Sequence, residues 1–404
     1  MIKYLRLSFL SLSLIALFIS CSDSPTSVGE NLIPDQDKIK FSEYDSFLES
    51  APQQSYTYQE KLKYGSSEKV LLGKTSLGES YIVYKFFIYM PDSLLTKLAN
   101  NELTVTSAKM EMKSTYKLGA TGAPFDYSVH QIRKAWTEDG FDKDTLKTFL
   151  ETSQYDLSDV SSNRVIAQND SLLKFDLSTQ VVTDWLKAKK DSNFTRNYGL
   201  LFKPKAGTNR FFGFDAVYTD GTSTNILLKI KYKWGTSTVH NDSINVAPFW
   251  DVHALLGAKP ISENHIYLQG SIGVRSVLSF DFSKLPKNII LNKATLELTV
   301  DDNPAQTSDG TPASDSITVQ TLKDSIAKEL TSDSLYFAYL KRTGNIYSGD
   351  IAWMVQKWIK GDANQGIILA LPDENYSASR IAIYNSKVTD KALRPRLKLI
   401  YTIK

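Results

Sequence analysis

An ordered set of short apolar segments occurs twice in this chain, and it constrains the fold more than any other feature. In the first copy, Phe175-Asp176-Leu177 precedes Val181-Val182 and Trp185-Leu186. Asn197-Tyr198-Gly199-Leu200-Leu201, Arg210-Phe211-Phe212-Gly213-Phe214 and a run from Ile226 to Trp234 follow. In the second, Gly349-Asp350-Ile351 precedes Met354-Val355 and Trp358-Ile359. Asn364-Gln365-Gly366-Ile367-Ile368, Arg380-Ile381-Ala382-Ile383-Tyr384 and a run from Leu397 to Ile403 follow. Upstream, Tyr81–Phe86 corresponds to Arg275–Phe280, and Ala108–Met112 to Ala294–Leu298. The same order with slightly different spacings implies two copies of one supersecondary plan.

The units are strands. Ile226, Leu228, Ile230, Tyr232 and Trp234 alternate with Leu227, Lys229, Lys231 and Lys233, a period of two with one core face. Leu397, Leu399, Tyr401 and Ile403 do the same. Helical patterns are few. Ile351, Met354, Val355, Trp358 and Ile359 mark one apolar helix face, with Asp350 as N-cap and Gly361 as stop. Thr179–Ala188 is its partner, and both tryptophans are expected to plug one end of a sandwich. The expected class is all-β: two tandem jelly-roll-like β-sandwiches, each with one short helix, at 45–234 and 244–404. A linker is expected at 235–243, where Gly235-Thr236-Ser237-Thr238 is small and polar.

The N-terminus carries a second signal. Lys3 and Arg6 precede the uncharged run Leu7–Ile19, then Ser20 and Cys21, the only cysteine of 404 residues. The run is too short for a transmembrane helix, which needs about 20 apolar residues. The pattern resembles a bacterial lipoprotein signal, with Phe18 departing from the usual lipobox leucine. That resemblance implies removal of residues 1–20, a thioether-linked diacylglycerol on Cys21 and an acylated α-amino group, hence a membrane partner. Residues 21–44 read as a lipid-anchored spacer; Pro25–Asp35 resembles the tethers of Bacteroidota-type outer-membrane lipoproteins. The implied location is the outer membrane, on its periplasmic face or at the cell surface. Loss of Lys3 and Arg6 leaves 45 basic against 44 acidic residues. That balance gives no footprint for nucleic acid.

The repeated segments also resemble DNRLRE-type domains. Phe280-Asp281-Phe282-Ser283-Lys284-Leu285-Pro286, the Ala-x-Leu-x-Leu strand at 294–298, the Asp…Trp helix at 350–358 and the final strand after Pro395 carry the likeness. In the first copy Lys134-Ala135-Trp136-Thr137-Glu138 resembles that family's "W-T-E" segment. The second copy lacks it, and the first has Phe86-Phe87 in place of the Phe-Asp strand. The resemblance implies a jelly-roll sandwich of secreted and surface proteins, some of which bind carbohydrate.

No catalytic constellation emerges. His130, His240, His253 and His265 form no metal-ligand spacing, and there is no Gly-x-Ser-x-Gly and no P-loop. His130 reads as a strand histidine. Glu111 and Glu297 hold equivalent strand positions that face solvent. Asp301-Asp302-Asn303 and Asp309-Gly310-Thr311 offer oxygen ligands without the twelve-residue calcium pattern and read as solvated loop acids. No cofactor or metal is expected. Asp-Ser/Thr-aliphatic triplets place Ser93, Thr145, Ser171, Ser243, Ser316, Ser325 and Ser334 in a pattern that resembles the O-glycosylation acceptor of Bacteroidota-type exported proteins. Asx-turns at element starts are the alternative.

The leading functional expectation is a non-enzymatic envelope lipoprotein whose modules bind glycan or another surface polymer. Sugar rings stack on exposed aromatics, and Tyr116, Phe125, Trp136, Tyr218, Trp250 and Tyr376 lie near expected turns. A structural, adhesive or assembly role with an envelope protein partner is the second reading. A hydrolase is the third, with no constellation behind it.

Overall fold

The computed structural model describes residues 40–403 apart from 66, 152–153, 168–170, 218–224, 287, 304–313, 325, 327–328 and 331–336. Cys21, the signal segment and most of the spacer lie outside the described residues, as do Tyr218, Ser325 and Ser334.

The chain opens with strands β1 (Phe41–Asp45), β2 (Gln53–Gln59), β3 (Lys69–Thr75) and β4 (Gly78–Phe86), then helix α1 (Asp92–Ala99). Next come β5 (Leu103–Leu118), β6 (Tyr127–Gln131), α2 (Lys143–Glu151), β7 (Ser161–Ile166), β8 (Leu172–Leu177) and α3 (Thr179–Lys187). β9 (Leu200–Pro204), β10 (Arg210–Asp215), β11 (Ile226–Trp234), β12 (His240–Val246) and β13 (Pro248–Leu256) follow. The second half holds β14 (His265–Gln269), β15 (Val274–Phe280), β16 (Ile289–Thr299), β17 (Ser316–Asp324) and β18 (Glu329–Leu330). It ends with β19 (Phe337–Thr343), β20 (Ile346–Asp350), α4 (Ala352–Ile359), β21 (Ile367–Ala370), β22 (Arg380–Tyr384) and β23 (Arg396–Ile403).

The architecture is all-β, in two sandwiches. In the first, a front layer β12-β11-β5-β8-β7 faces a back layer β13-β4-β9-β6. β10 pairs with both β3 and β5 and so carries one layer into the other. In the second, β1-β23-β16-β20-β19 faces β17-β21-β15-β2, with β14 and β22 at the corresponding corner. Alternation explains the packing: inward residues of β11 and β23 are buried while their lysines point out. The first core is aromatic, with Trp185, Phe175, Phe202, Phe212 and Tyr127; the second is mainly aliphatic around Tyr347.

The repeated Asn-x-Gly has a clear role. Asn197 donates its side-chain amide to the Phe86 carbonyl at 3.0 Å, and Asn364 does the same to Phe280 at 2.8 Å. Gly199 and Gly366 follow at φ +103° and +87°, and a Cβ on Gly199 would lie 1.9 Å from the Tyr84 carbonyl oxygen. Only glycine fits that approach.

Three features depart from expectation. The first sandwich has three helices, α1, α2 and α3, and not one; α1 and α2 are short amphipathic turns in inserted loops. Ile351 holds the N-cap position of α4, while Asp350 accepts from the Ala352 N–H at 2.8 Å one residue earlier. The third departure is topological. β1 pairs with β23 and β2 with β15, so residues 41–59 belong to the second sandwich. β12 pairs with β11 and β13 with β4, so residues 240–256 belong to the first. Sheet pairing therefore divides the chain differently from 45–234 and 244–404. In strand terms β1-β2 is the counterpart of β12-β13, and the two pairs are exchanged. A repeat identifies equivalent strands but not which copy each one joins.

The exchanged strands are well fixed. Arg396 forks onto the Asp45 carboxylate, and Ser46 exchanges hydrogen bonds with the Leu397 backbone at 2.8 and 2.9 Å. Between the sandwiches, Leu71, Leu77, Leu118, Phe211 and Leu255 pack on Tyr267, Ile272, Val274, Ala378 and Ala382. Tyr64 donates to the Ser271 carbonyl at 2.6 Å across this junction, and Gln269 to Leu77 at 3.2 Å. Deleting residues 41–59 is therefore expected to abolish amide protection in β15 and β23 and to leave β4 and β13 protected. Hydrogen exchange read by mass spectrometry checks this; loss confined to the first sandwich would contradict the exchange.

Candidate functional site

β13 lies along β4, and the ladder slips between Pro248 and Trp250. Phe249 is the extra residue of this bulge, and a bulge turns its side chain away from the pleat. Phe249 is 57% exposed beside Phe87, which is 68% exposed just past the end of β4. The two rings lie 6.3 Å apart, Phe249 is 5.5 Å from Trp250, and Trp250 is 5.8 Å from Trp136. Four rings thus make a continuous ridge. Its planes turn by 49°, 32° and 65° from one ring to the next, so the ridge is twisted and not flat.

Trp136 comes from the segment over the outer face of β4, β9 and β13. Phe141, Leu146 and Phe149 of that segment pack on Tyr81, Val83, Leu201, Val252 and Ala254, which buries this sheet on both faces. The Trp136 indole donates to the Tyr198 carbonyl at 2.7 Å and meets Phe141 edge-on at 6.0 Å, which fixes the ring. Beyond it opens a groove of about 520 Å³, lined by Lys61, Thr137, Asp139, Asp142, Thr145 and Gln154 among others. Burial opposes ionisation of Asp142, yet the Lys61 ammonium at 2.7 Å and the Thr145 donors bring its pKa down to about 2.

Cations flank the ridge. The Lys85 ammonium lies 4.0 Å from the Trp250 ring centre, and Lys189 lies 5.8 Å from that of Phe87 while donating to the Ile88 carbonyl. Burial lowers the pKa of both; Asp92 partly opposes this at Lys189. Among the described residues no carboxylate forms an ion pair with Lys85.

The second sandwich does not repeat the ridge. Ser279 stands at the position of Lys85, Asp281 at that of Phe87, and β2 runs along β15 with no bulge. Of the expected aromatics, the structure brings Trp136 and Trp250 together. Tyr116 is used at the junction, where its hydroxyl accepts from the Ala378 N–H at 3.1 Å. Phe125 packs edge-on against Phe212 at 4.5 Å. Tyr376 lines a separate cavity of about 350 Å³ with Arg275, Glu374 and Tyr339. Phe87 and Phe249 lie outside the expected set. The available signal was Phe86-Phe87 where the other copy has Phe280-Asp281.

The histidines are dispersed. His130 holds Ser128 and the Asp156 carbonyl at 2.8 and 2.9 Å, His265 meets Asp301 at 2.9 Å, and His240 stacks on Trp234. Asp302 pairs with Arg342 at 2.6 Å. Among the described residues no cluster of three metal-ligating side chains occurs, and no helix is long and apolar enough to cross a membrane. Glu111 and Glu297 lie outward in ion pairs with Lys229 and Lys398, both at 2.7 Å. Ser93, Thr145 and Ser243 are exposed, while Ser171 and Ser316 are half-buried. Asp324 accepts from the Ile326 N–H at 2.7 Å, the Asx-turn geometry. No family model matches this chain, and no curated protein matches it.

Beneath the ridge, burial pushes the Asp251 carboxyl up to about 7; the Val217 N–H opposes this and the nearby Glu138 charge adds to it. A raised acid is protonated in the folded chain while the unfolded chain has released its proton. Between about pH 4 and 7 this residue therefore makes stability fall as pH rises. Asp251→Asn keeps an acceptor for Val217 and removes that slope. The variant is expected to exceed the parent by on the order of 4 kcal/mol at pH 8 and to match it near pH 4. Urea unfolding across this range measures it; parallel profiles for the two proteins would refute the assignment.

Proposed function

We propose that this chain is a non-enzymatic cell-envelope lipoprotein, anchored through lipid on Cys21, that binds polysaccharide on the ridge of its first sandwich. The observation that carries the reading is the continuous row Trp136–Trp250–Phe249–Phe87, with its two phenylalanines open to solvent. Large exposed rings are costly to leave in water and are the side chains on which the apolar faces of sugars stack. Centroid steps of 5.5–6.3 Å fit consecutive sugar units, and the twist suits a chain that winds. Next to the ridge, Asp139, Thr137 and Gln154 supply acceptors and donors for hydroxyl groups. The lipoprotein signal and the likeness to DNRLRE-type domains support the envelope setting.

A second reading, assembly with a protein partner, draws support from the position of β13, whose only partner strand among the described residues is β4. An apolar edge of that kind also suits a protein interface. The discriminating experiment is affinity electrophoresis of the lipid-free Ser22–Lys404 chain in gels containing single polysaccharides. Trp250→Ala and Phe249→Ala are each expected to lower affinity about 3- to 10-fold, the scale of ~1 kcal/mol per aromatic contact. Tyr376→Ala is expected to leave it unchanged. Folded protein that no polymer retards would transfer support to the protein-partner reading.

A further inference from the structure

We infer that the polysaccharide taken by the ridge is acidic, its carboxylate or sulfate groups meeting Lys85 and Lys189; this rests on the glycan reading of the same surface. The two lysines stand at opposite ends of the exposed part of the row, Lys85 over Trp250 and Lys189 over Phe87. Lys85 is half-buried and Lys189 is exposed, and neither ammonium is neutralised by an ion-pair partner among the described residues. Several outward lysines of the sheets are paired elsewhere, Lys69 with Asp215, Lys109 with Asp176, Lys229 with Glu111 and Lys398 with Glu297. Lys231 and Lys233 of β11 have no ion pair among the described residues but are open to water. The ridge is thus a place where the chain leaves partly desolvated positive charge beside bare rings.

A partly desolvated ammonium has lost water contacts that an incoming anion can replace, so an anion gains more here than at a fully hydrated lysine. The rings alone do not discriminate a neutral hexose from a uronate. The flanking ammoniums do, because their spacing along the row places charge beside sugars that stack on it. Three acidic side chains of the neighbourhood do not cancel this, while Asp139 lies on the far side of Trp136, in the groove away from Lys189 and Phe87. Asp142 is held by Lys61, Asp92 pairs with Lys190 at 3.1 Å, and Asp251 is protonated in part near neutrality. In the second sandwich, Asp281 at the position of Phe87 would repel the same ligand, which leaves one site per chain.

The test compares polymers that differ only in charge, with the full mature chain in non-ionic detergent. Polygalacturonate is set against its methyl-esterified form, and dextran sulfate against dextran. The charged member is expected to bind at least ~10-fold tighter at 50 mM NaCl, with the advantage largely lost at 500 mM, as screening requires. Lys85→Met and Lys189→Met are each expected to reduce the preference about 3-fold, and the double variant to abolish it. Phe249→Ala is expected to weaken binding of both members alike. Thermal melting establishes that each variant is folded. Equal affinity for charged and neutral polymers overturns the acidic preference while leaving the glycan reading in place. A preference that survives the double variant overturns the site, and equally tight binding of polyglutamate overturns the role of the sugar. Folded chain that binds no polysaccharide at all overturns both readings.

Discussion

The interaction on which the rest depends is the seating of β2 on β15 and of β13 on β4. The second sandwich is completed by strands from the other end of the chain, Asp45 and Arg396, partners in one ion pair, being 351 residues apart. The first is closed by β12 and β13, which follow β11 directly. Such contacts are slow to form because the closure entropy comes before the reward. Once formed, they tie the two repeats together. Neither sandwich retains both covered edges if the other is removed, and the apolar junction at Leu71, Phe211, Tyr267 and Ala382 sits where the exchanged strands turn.

The exchange also makes the ridge. If β13 lay on β15, Trp250 and Phe249 would face Ser279 and Asp281, and no row of rings would exist. On β4 they meet Lys85 and Phe87. The bulge at Phe249 then supplies the outward turn. The outer cover from Trp136 to Phe149 supplies the last ring and the adjoining groove. Three local devices that are unrelated in sequence converge only because one strand crosses to the other repeat.

This explains what was legible beforehand. Period-two runs such as Ile226–Trp234, the paired Trp helices and Asn-x-Gly are local, and each is found where the sequence places it. Strand partnership is not local. β2 and β13 both start at an Ala-Pro step, Ala51-Pro52 and Ala247-Pro248, and that shared local signal does not say which copy each strand joins; their burial differs, β13 being mostly buried and β2 not. Trp136 and Trp250 could be named as candidates because tryptophan near a turn is rarely idle. Phe249 could not, because a bulge is a property of two strands in register. Tyr116 misled for the same reason: its pocket is built by Ser377, Ala378 and Ser379 of the other repeat.

The path of the chain bears on how the ridge would work at a membrane. On the lipoprotein reading the tether runs from Cys21 into β1, and β1 is hydrogen-bonded to β23 in the second sandwich. Pull on the anchor therefore loads the second sandwich first, along a strand clamped by the Asp45–Arg396 fork and the Ser46–Leu397 pair. The first sandwich, with the ridge, is attached through the junction and not through the tether. A ligand held on Trp250 and Phe249 would transmit force from β13 through β4 and the shared apolar contacts before it reached β1. An uninterrupted N-terminal repeat would place the binding module directly on the anchor. The exchange instead routes force from the anchor to the ridge through the second sandwich and the shared apolar junction.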